Sequence, residues 1–165
     1  MLKNIFLILT EVYIEEISAG KQKDAFVKEM EKQGWNVFVG QPEDTEHLCA
    51  NYILEETLFV SDDKAVLECL DKKGAYTIAC YHKGVDGFIG STQYAIEGIA
   101  GIDADYMIKV YRRFRGIPWD ISETKRCLIR EMGPDDLDDL YDLYADERII
   151  QYTEPLFRDR EKEKN

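Results

Sequence analysis

A chain of 165 residues, 45% hydrophobic and 33% charged, has a globular composition. It is long enough to bury roughly 70% of its unfolded surface as one domain, or to hold one domain and the start of another. Lys and Arg number 21 against 33 Asp and Glu, and the formal charge of −12 argues against nucleic acid or an anionic membrane as partner. Cys49, Cys69, Cys80 and Cys127 form no CxxC pair, and with only His47 and His82 beside them zinc-ligand spacing is absent. Ordinary buried thiols in a reducing cytoplasm are the expectation. The apolar run from Ile5 to Leu9 is too short to span a membrane, and Glu11, Glu15 and Glu16 flank it wrongly for a signal peptide.

In chain order, residues 4–13 read as a strand, rich in Ile, Leu, Phe and Val. Residues 19–33 have helical spacing, with Phe26, Val27 and Met30 on one face and Gly34 as the stop. A second strand is expected over 35–39, ended by Gly40 and Pro42, and a helix over 43–54 with Leu48, Tyr52 and Cys49 inward. The segment from Thr57 to Gly84 then reads as one βαβ unit: strand Leu58-Phe59-Val60, a helix stopped by Gly74, and a returning strand over 76–81.

Ser61-Asp62-Asp63 stands at the carboxyl end of that unit's first strand, where open α/β sheets place their ligands. Two readings stay open for the acidic pair. Either one carboxylate caps the following helix and the other is solvated, or the two are a residual Mg²⁺ site. The loop Lys83–Thr92 lacks the Lys of a GxxxxGK[ST] phosphate loop and the spacing of GxGxxG, so it reads as a connection.

A short strand over 92–96 and a helix over 103–114 follow, the helix apolar at Tyr106, Met107, Val110, Tyr111 and Phe114. The repeated strand–helix pattern implies an α/β fold, a mostly parallel sheet flanked by helices, and the first domain is expected to end near Trp119. Residues 123–131 alternate as a strand does. Gly133-Pro134-Asp135-Asp136 then opens a helix with Leu137, Leu140, Tyr141 and Tyr144 at i, i+3, i+4 and i+7. A short helix is expected over 149–152, and the charged end, residues 158–165, as solvated helix or frayed tail.

The residues from about Glu123 to Lys164 resemble the opening of a GNAT-superfamily N-acetyltransferase. The likeness rests on Arg126-Cys127-Leu128-Ile129-Arg130, Gly133-Pro134-Asp135-Asp136-Leu137, Leu140-Tyr141, Tyr144-Ala145-Asp146-Glu147, Ile150-Gln151-Tyr152 and Glu154-Pro155-Leu156. The resemblance implies a β-α-α segment that helps shape the acceptor side of the active site. On that reading Tyr141, Tyr144 and Tyr152 line an acceptor pocket or simply pack a core, and Glu131 and Glu154 are candidates for polarising an acceptor amine. Family members bind acetyl-CoA on a later [Q/R]xxGx[G/A] loop at a helix N-terminus. The nearest match, Arg113 to Pro118, lies upstream of the opening strand and puts Pro118 where a small residue is needed. Acetyl-CoA is therefore expected only in a full-length form.

Residues 1–120 resemble a HAD-type Rossmann-like domain, with Val60-Ser61-Asp62-Asp63 and the unit after it standing where that superfamily has its metal-binding acidic motif. The implied metal ligands are Asp62 and Asp63, with Mg²⁺. The superfamily's nucleophile is an Asp closing the first strand, whereas here that strand runs Leu9-Thr10-Glu11-Val12. The order of the two likenesses resembles bacterial acetyltransferases in which a HAD-like part precedes the enzyme domain.

The resulting expectation is a cytoplasmic, GNAT-related protein with a HAD-like domain at 1–120 and the first portion of an acetyltransferase domain at 121–165. The chain alone is expected to be inactive and to act as a regulatory or structural domain. A Mg²⁺-dependent phosphohydrolase and a non-catalytic ligand- or partner-binding module are the alternatives. Leu137, Leu140, Tyr141 and Tyr144 are expected to meet the remainder of the acetyltransferase domain or a second copy.

Overall fold

The computed structural model describes residues 1–90 and 93–152. Its first unit, Met1–Phe114, is built on five parallel strands. These are β1 (Asn4–Ile8), β2 (Asn36–Gly40), β3 (Thr57–Ser61), β4 (Tyr76–Tyr81) and β5 (Ala95–Glu97), in the spatial order 2-1-3-4-5. Every residue of β1 and β3 is buried. Such continuous apolar runs, rather than polar–apolar alternation, are what a parallel sheet covered on both faces demands.

One face carries Ile5, Leu7, Leu58, Val60, Ile78 and Cys80. It packs under α1 (Glu11–Ala19), α2 (Gln22–Glu31) and α5 (Ala104–Phe114), through Tyr13, Ile17, Phe26, Met30, Met107, Val110 and Tyr111. The other face carries Phe6, Ile8 and Phe59 against Leu48 of α3 (Thr45–Asn51) and Val66 and Leu70 of α4 (Lys64–Lys72). Gly74 has φ +71°, a left-handed turn that only glycine makes without strain, and it lets the chain leave α4 for β4.

Three expectations change. The first strand stops at Ile8, and residues 11–19 are helical. Beyond Ile8 the chain passes the carboxyl end of the sheet, and Tyr13 and Ile17, spaced i, i+4, face the core while Glu11, Glu15 and Glu16 face water. The helix expected over 19–33 is α2 alone, separated from α1 by Lys21 at φ +58°. The alternating stretch 123–131 is not one strand but part of a hairpin with a turn inside it. Of the strand expected over 92–96, Ala95 and Ile96 belong to β5, while Thr92 lies outside the described residues.

The second unit runs from Arg115 to Asn165. Within it β6 (Asp120–Glu123) pairs antiparallel with β7 (Leu128–Arg130), and the Thr124 N–H donates to the Cys127 carbonyl across the turn at 2.8 Å. A 3₁₀ turn at Pro134–Asp136 leads into α6 (Leu137–Tyr144), followed by α7 (Glu147–Ile150). The Arg130 guanidinium grips both oxygens of Asp136 and holds its carboxyl below the usual carboxylate range. Leu137, Leu140, Tyr141 and Tyr144 are half-buried, and none of the unit's residues with a described side chain is fully buried. The tail at 158–165, and Glu154-Pro155-Leu156 of the acetyltransferase likeness, lie outside the described residues.

Candidate functional site

The strand order reverses direction between β1 and β3, so the crevice beyond their carboxyl ends is where a parallel α/β sheet presents a ligand site. Asp62, the first residue past β3, points into it. Its side chain is 1% exposed, and its two oxygens accept three hydrogens. Oδ1 accepts from the Thr10 N–H at 2.8 Å, and Oδ2 accepts from the Thr10 hydroxyl at 2.5 Å and from His82 Nε2 at 2.9 Å. A buried carboxylate needs such donors to offset its lost hydration. Thr10 stands at the end of β1 and His82 at the end of β4, so this one side chain ties the ends of three adjacent strands together.

His82 is held on both ring nitrogens. The Gly84 N–H donates to Nδ1 at 3.2 Å, which leaves the ring hydrogen on Nε2, where it is given to Asp62. Tyr13 lies flat on the imidazole, ring centroids 3.9 Å apart and planes within 3°. The Tyr13 hydroxyl accepts from the Ile99 N–H at 3.1 Å. Burial pushes the Tyr13 hydroxyl well above its usual pKa and the Cys80 thiol up to about 11. Gly98 has φ +72°, and a Cβ there would stand 2.9 Å from the Tyr13 oxygen, so the loop after β5 closes onto this group only with glycine.

Beside the His82–Tyr13 stack an open cleft of about 390 Å³ is lined by Tyr13, Glu16, Gln22, His82, Lys83 and Glu97 among others. It carries two carboxylates and one ammonium, a mixed polar wall rather than a preformed anion or cation hole.

Asp63, the second carboxylate singled out in the sequence, serves another purpose. Its Oδ1 accepts from the Val66 N–H at 2.9 Å and caps α4, while its own N–H donates to Ser61 Oγ. The two acidic residues thus have different neighbours. For Mg²⁺, Asp62 offers little: three of its roughly four lone-pair directions are taken. His82 turns an N–H, not a lone pair, toward it. An ion there requires Thr10 or His82 to let go. Among the described residues no three His, Cys, Asp or Glu side chains are grouped to hold a metal.

Glu131 accepts from the Trp119 N–H at 3.1 Å, and its proposed companion Glu154 lies outside the described residues. No described helix is long and apolar enough to cross a membrane. Comparison of the chain with family models, with curated proteins and with solved structures gave no match.

Proposed function

We propose that this chain belongs to a GNAT-related N-acetyltransferase, with Met1–Phe114 as a non-catalytic Rossmann-like unit and the second unit contributing acceptor-side elements. The observation that carries the reading is the element order after Phe114: the β6–β7 hairpin, whose second strand is followed by helices α6 and α7, in a unit separate from the parallel sheet. That β-α-α order is the one the resemblance implies for an acetyltransferase opening. The first unit is read as a scaffold because the polar groups in its switch-point crevice satisfy one another. Thr10 presents a hydroxyl already donated to Asp62 at the end of β1, where a phosphohydrolase of the HAD type needs an ionised Asp.

Acetyl-CoA binding is assigned to a full-length form, since no pyrophosphate-binding loop of the family's type is present in these residues. The test compares the polypeptide isolated from its source cells with residues 1–165, using acetyl-CoA and a panel of amines. Transfer by the native polypeptide alone is expected. Transfer by residues 1–165, or hydrolysis of a phosphate ester that needs Mg²⁺ and is lost in Asp62→Asn, overturns the reading.

The open cleft beside His82 favours a second role for the first unit, the binding of a small polar ligand. Chemical-shift changes confined to Tyr13, His82, Lys83 and Glu97 on adding a metabolite mixture would support it. Changes spread evenly over the sheet would not.

A further inference from the structure

Among the described residues β2 lies at one end of the sheet and pairs with β1 alone. The Asn36 N–H donates to the Lys3 carbonyl at 2.8 Å, and the Gly40 carbonyl accepts from Leu9 at 3.0 Å. Asn36, Phe38 and Gly40 therefore turn their backbone groups inward, and alternation turns those of Val37 and Val39 outward. Exposed edges are normally blunted by charge, proline or a bulge. β2 reads Asn-Val-Phe-Val-Gly in unbroken register and has none of these. The opposite edge, β5, is only three residues long and ends on Glu97.

Beside this edge a groove of about 370 Å³ runs between β2 and α2. Val27, Val37 and Val39 supply its apolar lining, flanked by Lys23, Asp24, Lys28 and Glu31. Read in reverse about Val27, the two ends of the groove carry opposite charges: Lys23 falls opposite Glu31. A surface complementary to itself suits an isologous contact.

We propose that β2 pairs antiparallel with β2 of a second copy of this chain, about a two-fold axis at Phe38. Val37 and Val39 then face each other twice and exchange four backbone hydrogen bonds, and the two five-stranded sheets become one of ten strands. Phe38 meets Phe38 of the second copy in the closer, non-hydrogen-bonded position, and the valines continue the apolar seam on the other face. Across the axis α2 runs antiparallel to its copy with Lys23 toward Glu31 at both ends of the seam. Exposed ion pairs of this kind contribute about 1 kcal/mol or less each, so they select the register while the strand pairing and apolar seam supply the affinity.

Sedimentation velocity of the full chain over a wide concentration range tests this, and a reversible dimer is expected. Val37→Pro removes an outward N–H without touching the β1 ladder. It should raise the dimer dissociation constant about tenfold or more while the far-ultraviolet spectrum stays unchanged. Lys23→Glu should weaken the dimer about threefold to tenfold, and adding Glu31→Lys should restore it, a rescue that general misfolding does not produce. A monomer at every concentration overturns the proposal. So does a dimer indifferent to Val37→Pro and Lys23→Glu, in particular one that dissociates on Leu140→Asp.

Discussion

Asp62 has the largest structural role of any single residue in the crevice, because three donors from two other strand ends converge on it. Asp62→Ala leaves the Thr10 and His82 donors unpaired in a dry place and is expected to cost about 3 kcal/mol. Thr10→Val removes one charge-assisted hydrogen bond and should cost about 1.5 kcal/mol. Both are read as urea midpoints at constant slope, and an unchanged midpoint in Asp62→Ala would show that the three hydrogen bonds add nothing net. Cys80 permits a pH prediction. Its ordinary value is 9.0 and burial raises it to about 11, so ionising it is harder in the fold than in the unfolded chain. The stability it contributes is fully present below pH 9 and is lost as the pH climbs through 11. Cys80→Ala should flatten that decline. At neutral pH the exposed Cys127 should react with a maleimide while Cys80 stays unmodified in the native protein.

At the scale of elements, two helix starts behave in opposite ways. Asp63 caps α4 through the Val66 N–H, so Asp63→Ala should destabilise by about 1 kcal/mol. Lys21 precedes α2 at φ +58°, a conformation that costs a side chain about 1 kcal/mol, and Lys21→Gly should be neutral or stabilising. Thermal denaturation of the two variants separates the effects by sign. The capping role of Asp63 was legible in the sequence as one of two readings of the acidic pair, since an Asp ahead of a helical stretch caps by local geometry. The bond from Asp62 to His82 was not legible. Thr10 lies 52 positions from Asp62 and His82 lies 20, so no local spacing joins them. The only available signal was that β3 and β4, as neighbours in a parallel unit, end on the same side and set Asp62 beside His82.

For the whole molecule, the contrast between the units is one of burial. The first has strands with every residue inside, whereas none of the described side chains of the second is fully buried. Brief trypsin treatment should therefore cut first at Arg115, Lys125 or Arg126 and leave the parallel-sheet unit whole. Equally fast cleavage inside residues 1–83 would contradict this. Mg²⁺ should leave the melting temperature unchanged, because three donors already occupy most of the lone-pair directions of Asp62. A rise abolished by Asp62→Asn would instead establish an ion at that carboxylate and restore the Mg²⁺ reading of Asp62 and Asp63.

Composition and apolar runs by themselves determined the α/β class, the parallel sheet and the central βαβ unit, because those follow from local periodicity and from strands buried on both faces. Only the tertiary structure decided that the first strand ends at Ile8 and that residues 123–131 contain a turn. The apolar residues run on past Ile8 into Val12 and Tyr13, and the pattern over 123–131 suits a strand or a hairpin, so in both places the local sequence leaves the end of the strand open until a neighbouring chain is there to pair with or not. The same holds for the crevice. The sequence marked Asp62 as unusual, but its partners come from strand ends far apart along the chain, and only their packing made it a tie between strands.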